Sequence, residues 1–96
     1  MKHIKTEKEF YDIIKGDRVL IDFYAEWCAP CKMLGIILED VTDIEVVKVD
    51  IDRFMNIAKE YKVLSIPALK IFSNGEIEKE STGLMSRDEL NEFIKE

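Results

Sequence analysis

The chain has two cysteines, and they stand three residues apart in Cys28-Ala29-Pro30-Cys31. Thiols so close together admit three kinds of chemistry: metal ligation, a structural bridge, or reversible redox exchange. A structural zinc ion takes four Cys or His ligands, usually from two such halves. Here there is one half and a distant His3, so carboxylates or a second subunit would have to complete the set. A structural disulfide closing so short a loop would contribute roughly 2 kcal/mol by chain entropy, and would need an oxidising compartment.

Redox exchange accounts for more of the neighbourhood. Met33, Leu34, Ile37, Leu38 and Val41 recur three and four apart after Cys28, which predicts a helix with the cysteines in its first turn. Unpaired backbone N–H groups and the positive end of the helix dipole favour a thiolate there, holding Cys28 below the free-thiol value of about 8.5. Cys28 is then the nucleophile. Cys31, one turn deeper, is close enough to bond with it and is shielded from competing attack, which makes it the resolving thiol. Pro30 fits the first turn, where a missing N–H costs nothing, and stiffens the loop between the sulfurs.

Other elements must hold that helix in place. Thr6-Glu7-Lys8-Glu9 has the capping-box form and precedes Phe10, Ile13 and Ile14 at helical spacing, predicting a first helix over about 6–15 that ends at Gly16. The run from Arg18 to Ala25 is apolar on both alternations, as in a strand covered on two faces, and Asp22 is its one misfit. A second buried-type strand is expected from Ile44 to Ile51. Asp52 is then expected to cap a short helix carrying Phe54, Ile57, Ala58 and Tyr61. Ala68–Phe72 reads as a third central strand, Asn74-Gly75 as a two-residue hairpin, and the charged stretch 76–80 as a solvated edge strand. Ser86 to Glu89 is a second capping box, opening a closing helix with Leu90, Phe93 and Ile94. Met33 and Phe54 are expected in the core. Strands separated by helices are expected to run parallel and the hairpin antiparallel, giving a mixed sheet with helices on both faces, a three-layer α/β/α sandwich.

Composition bounds the rest. With 96 residues, 47% hydrophobic and 35% charged, and with 4 Gly and 2 Pro, the chain is expected to form one soluble domain over residues 1–96. At this length roughly two-thirds of the unfolded surface can be buried, so neither staple nor metal is required for stability. The 14 basic and 20 acidic residues leave a net charge of −6, which repels nucleic acid and anionic membranes, and neither is an expected partner. No apolar leader follows Met1-Lys2, and Asp22 interrupts the run Val19-Leu20-Ile21 far short of a membrane span, so the expected location is the cytoplasm. Thiols are kept reduced in a cytosol, where a close pair is more often catalytic or metal-binding than structural.

Four blocks in order on this pattern resemble the thioredoxin family: Ile21 to Lys32 around the cysteines, Val46 to Asp52, Ser65 to Glu76, and Ser81 to Leu84. The resemblance covers about Val19 to Phe93 and implies a thioredoxin fold and protein-disulfide reduction, without metal or cofactor, through a Cys28–Cys31 dithiol. It also implies that Cys28 forms a mixed disulfide with substrate and that Cys31 displaces the reduced product. Asp22 matches the family's buried carboxylate, which accepts the proton of Cys31, and Lys48 its lysine partner; a plain buried ion pair is the bland alternative. Ile66-Pro67 matches the family's cis peptide facing the cysteines, with the Ile66 backbone offered to an extended substrate. Trp27, Ala29, Pro30, Ile66 and the Gly83-Leu84 turn would form an apolar docking rim. The implied partners are disulfide-containing proteins and a thioredoxin reductase drawing on NADPH, with the chain itself a monomer.

Three positions depart from the usual pattern. Ala29 replaces Gly, Tyr24 stands where Trp is frequent, and Gly35-Ile36 replaces a helix-kinking Ala-Pro pair. The last departure predicts a straighter second helix or a bend at Gly35. Two other functions compete with reduction: the same chemistry run as a disulfide oxidant or isomerase, and a non-catalytic module that uses the scaffold to dock onto another protein.

Overall fold

The computed structural model describes residues 1–96. The apolar run after Arg18 forms β2 (Val19–Tyr24), buried along almost its whole length. It lies parallel to β3 (Glu45–Asp50) on one side and antiparallel to β4 (Ala68–Ser73) on the other. A two-residue strand, β1 (Lys2–His3), adds to the far side of β3, and β5 (Glu76–Thr82) closes the other edge, giving the order β1-β3-β2-β4-β5. β1 was not expected, because two residues are too few to show a period.

Four helices, α1 (Glu7–Ile14), α2 (Ala29–Leu38), α3 (Met55–Glu60) and α4 (Arg87–Ile94), cover the two faces. Phe10 and Ile14 of α1 and Ile57 of α3 pack on Ile21, Phe23, Val47 and Phe72. Leu34 and Leu38 of α2 and Leu90 and Ile94 of α4 pack on Leu20, Val46, Leu69 and Ile71. This is the expected three-layer α/β/α sandwich, and alternation along β2 and β3 decides which side chain joins which core. Phe10 is fully buried and meets Tyr11, Phe23, Tyr61 and Phe72 edge-on or tilted.

One connection differs from expectation. β4 follows a helix yet runs antiparallel to β2, because α3 has only six residues and the chain doubles back after it. The pairings show the return: Tyr24 faces Asp50, Phe23 faces Ala68, and Ala68 faces Thr82. The end of β2, the end of β3, the start of β4 and the end of β5 therefore share one end of the sheet.

The helix starts follow their caps, with exceptions. Ser86 and Glu89 form both halves of the predicted box at α4. At α1 the Thr6 hydroxyl accepts the Glu9 N–H at 3.1 Å, but Glu9 Oε1 accepts from Lys5 N–H at 2.7 Å, one residue earlier than the box requires. Asp52 does not cap α3; Phe54 occupies that position without a side-chain hydrogen bond. The turn is made instead by Asp50, whose Oδ1 accepts the N–H groups of Asp52 and Arg53 at 2.9 and 3.4 Å. α2 runs unbroken through Gly35 and ends at Leu38, so Val41 lies beyond it. Met33 is 55% exposed rather than core, while Phe54 is buried as expected. The apolar stripe of α2 is wider than the face it buries. α4 has no basic residue in its last turn. Its terminal carbonyls accept from cations on neighbouring elements: Ile94 O and Lys95 O from Arg18, just before β2, and Phe93 O and Lys95 O from Lys79 of β5.

Candidate active site

Cys28 leaves β2 through a tight turn, its N–H donating to Ala25 O at 3.2 Å, and becomes the N-cap of α2 in extended conformation. Its Sγ accepts the Cys31 N–H at 3.2 Å, so a sulfur stands where a Ser or Asp oxygen usually caps a helix. Those orphan donors and the dipole behind them are what a thiolate at Cys28 would find when the pair is reduced. Pro30 lies in the first turn and costs no helical hydrogen bond there. Cys28 and Cys31 are joined as a disulfide with their Cα atoms 5.2 Å apart. Both are buried in this form, Cys28 at 5% exposure and Cys31 at 2%. Cys28 is thus less open than an exposed nucleophile would be, and Tyr24, Ile51 and Ile66 pack around the pair.

The other predicted residues divide into two groups, one on the surface and one beneath it. Trp27 is 70% exposed, and its Nε1–H donates to Asp52 Oδ2 at 2.9 Å, which fixes the indole across the rim. Ala29 and Pro30 are exposed and Ile66 is half-buried against the disulfide. The Ile66-Pro67 peptide is cis, and neither the N–H nor the C=O of Ile66 bonds to another backbone group. Pro67 O accepts the Gly83 N–H at 2.8 Å, tying the β5–α4 turn to the same end of the sheet. Gly83 has φ +92, a left-handed conformation suited to glycine, and Leu84 beside it is exposed.

Beneath the surface, Asp22 is completely buried on the face of the sheet that α2 covers. Neither of its carboxylate oxygens receives a hydrogen bond from the protein. Lys48, its register partner on β3, brings Nζ to 3.7 Å of Oδ2, too far for a hydrogen bond but close enough to attract the charge. Burial pushes the Asp22 carboxyl up to about 6, and the Lys48 ammonium offsets part of that rise. The same ammonium lies 4.3 Å from the centroid of the Tyr24 ring. A small cavity of about 150 Å³ joins Lys48 and Cys31 to the surface between His3, Tyr24, Glu26 and Lys32. A larger groove of about 540 Å³ runs past Asp52 between α3 and the fully exposed Leu64, and it contains no reacting group. No cluster of three or more His, Cys, Asp or Glu side chains is placed to hold a metal ion.

Neither the Trp27–Asp52 bond nor the Lys48–Tyr24 contact is legible in the sequence. Asp52 carries the same signal whether it caps a helix, makes a turn or receives an indole N–H, and the Lys48–Tyr24 contact exists only because β2 and β3 pair in this register.

The whole chain, residues 1–96, matches the family model described as Thioredoxin. It is 39% identical to a thioredoxin of Mycoplasmoides gallisepticum over 99% of this chain and 100% of that one. It is 41% identical to a thioredoxin of Chlamydia trachomatis, covering 98% and 96% of the two chains. Among solved structures, a mutant thioredoxin from Halobacterium salinarum superposes with a TM-score of 0.88 at 37% identity, over 97% of this chain and 86% of that one.

Proposed function

The chain belongs to the thioredoxin family and is a thiol–disulfide oxidoreductase, and from that premise we propose that it works as a protein-disulfide reductase, with Cys28 attacking and Cys31 resolving. The observation that carries this assignment is the cap: the Cys28 sulfur alone receives a helix N-terminal N–H, from Cys31. In the reduced protein the Cys28 thiolate attacks one sulfur of a substrate disulfide. The substrate S–S bond breaks, a Cys28–substrate disulfide forms, and one substrate thiolate leaves. Cys31 then gives its proton to the Asp22 carboxylate and attacks Cys28 Sγ, releasing the second substrate thiolate and leaving the Cys28–Cys31 disulfide found here. Two electrons pass to the substrate, and a separate reductase, with NADPH as donor, returns them.

Burial without hydrogen bonds suits Asp22 to the proton step, since a carboxyl held near 6 can take up and release a proton close to neutral pH. Lys48 supplies the charge that keeps the carboxyl from rising further. Trp27, Ala29, Pro30, Ile66, Pro67, Gly83 and Leu84 make the docking rim, where an extended substrate strand can pair with the free N–H and C=O of Ile66. The 96 residues act as one domain and as a monomer. No helix is long and apolar enough to cross a membrane; a reducing role places the protein in the cytoplasm, where thiols are kept reduced.

Insulin reduction by dithiothreitol tests the reading. Wild type is expected to accelerate it and Cys28→Ser to abolish the acceleration; no wild-type rate above dithiothreitol alone would refute the reductase assignment. Cys31→Ser is expected to accumulate mixed disulfides with cellular proteins, and accumulation in Cys28→Ser instead would reverse the two roles.

A further inference from the structure

Ile51 packs against the Cys28–Cys31 pair and also lines the 540 Å³ groove beside α3, so a single side chain separates the reacting sulfurs from that space. Asp52, which holds the Trp27 indole, lines it as well. The docking rim thus continues into the groove. One wall is α3. The other is the segment that returns after it, where Lys62 N–H donates to Lys59 O, Val63 N–H donates to Ala58 O, and Lys62 adopts φ 55. That return leaves Leu64 as the most exposed large apolar side chain of the protein, while Met55 is exposed on the α3 wall. Apolar groups held in water around a concave space favour an apolar occupant.

Charge adds a second preference. The groove follows α3 from Asp52 ahead of it to Lys62 behind it, with Lys59 in the last turn. Asp52 is engaged by Trp27. Seven other basic side chains of the protein pair with carboxylates, but Lys59 and Lys62 do not. The far end of the groove is therefore cationic in a chain of net charge −6. We propose that this groove selects among disulfide substrates: Met55 and Leu64 take an apolar side chain close to the reacting cysteine, and Lys59 and Lys62 take a carboxylate beyond it. An extended strand advances ~3.3 Å per residue and repeats its face every second residue. A substrate strand paired with Ile66 therefore brings the residue two from its cysteine toward Leu64, which is itself two residues from Ile66. The residue four away, ~13 Å along, comes to the lysines at the end of α3.

The inference rests on the reductase reading and adds which polypeptides that activity prefers. The net charge alone predicts the opposite preference, since it repels acidic substrates. At about 0.15 M salt that repulsion is screened beyond ~8 Å, while contacts at the lysines fall within that distance. The probes are disulfide-linked dimers of Xaa-Ser-Leu-Ser-Cys-Ser-Leu-Ser-Xaa, palindromic so that strand direction does not matter, with Glu, Gln or Lys as Xaa. The reduced protein is mixed with each, and the reaction is stopped with acid and followed by the thiols released.

The Glu peptide is expected to react ~5-fold faster than the Lys peptide, because each exposed ion pair is worth a factor of about 2 and the swap exchanges attraction for repulsion. Serine in place of the peptide leucines is expected to slow the reaction ~10-fold. In the Lys59→Gln, Lys62→Gln double variant the Glu preference is expected to vanish or reverse, and in Leu64→Ser the leucine dependence is expected to shrink at least ~2-fold. A Lys peptide as fast as the Glu peptide in wild type, or a Glu preference that survives in the double variant, overturns the proposal. So does equal reaction of the leucine and serine peptides, or an undiminished leucine dependence in Leu64→Ser. In each of those cases the peptides are still reduced and the reductase reading stands, whereas a wild type that reduces none of them refutes both. If a variant does not fold, the wild-type rates with the Glu, Gln, Lys and serine peptides decide alone.

Discussion

Replacing Asp22 by asparagine should change how stability depends on pH, in a direction and by an amount the structure specifies. The carboxyl titrates at 3.8 in an exposed chain and at about 6 when buried in the fold. The folded protein thus holds this proton more tightly than the unfolded chain, so the group is most favourable below the lower value and its contribution is lost as pH rises through the upper one. At about 1.36 kcal/mol per unit, the wild type loses about 2.5 kcal/mol from this group between pH 4 and pH 7.5. Asparagine has the same shape and no such titration. Costs that do not vary with pH, such as the lost partner of Lys48, cancel in the difference. The assay is urea denaturation of the oxidised proteins, in which the bridged cysteines do not titrate. With an m-value of roughly 1 kcal/mol/M, the variant's midpoint should gain roughly 2 M on the wild type between the two pH values. Parallel midpoints would mean that burial does not raise the Asp22 carboxyl, and would remove its qualification as acceptor for the Cys31 proton.

Two further substitutions test the frame that holds the site. Phe10→Ala empties a fully buried position ringed by Phe23, Tyr61 and Phe72 and should cost about 3–5 kcal/mol in chemical denaturation; a loss below 1 kcal/mol would show that this core collapses around the gap. Ser86→Ala removes the side-chain acceptor of the α4 box and should cost about 1 kcal/mol with insulin reduction unchanged; a fall in that rate would tie α4 to the docking rim.

Much of the site was legible because each of its residues breaks a local rule. Asp22 is a charge inside an apolar run, and Pro67 would interrupt a strand if it stood one residue later. The cysteines sit where a helix must begin. Such conflicts are visible without knowing which elements touch. Lys48 drew no attention by itself, since its strand also carries Glu45 and Asp50 and a charge there stands out less than Asp22 does in β2, and it entered only through the family resemblance. The misreadings have physical causes. β1 exists because an edge of β3 was free to pair, Met33 is exposed because the apolar stripe of α2 is wider than the face it buries, and Asp52 turned from a cap into a partner of Trp27 because the chain bends at Asp50 first. The strand β1 and the Trp27–Asp52 bond depend on neighbours distant in sequence, which a local pattern does not name.

The cations that close the end of α4 link parts of the chain made far apart in time. Arg18 reaches across 76 and 77 residues to the carbonyls of Ile94 and Lys95, and it also grips Glu78 through both carboxylate oxygens. Lys79 reaches Phe93 and Lys95 from the same edge strand. The last helical turn keeps one backbone bond, Lys95 N–H to Glu92 O, and a Lys95–Glu92 ion pair, but the carbonyls of Phe93, Ile94 and Lys95 are held by cations from β5 and from just before β2. Amide exchange in that turn would therefore report the completed sheet, because its carbonyls are held from two places far apart along the chain.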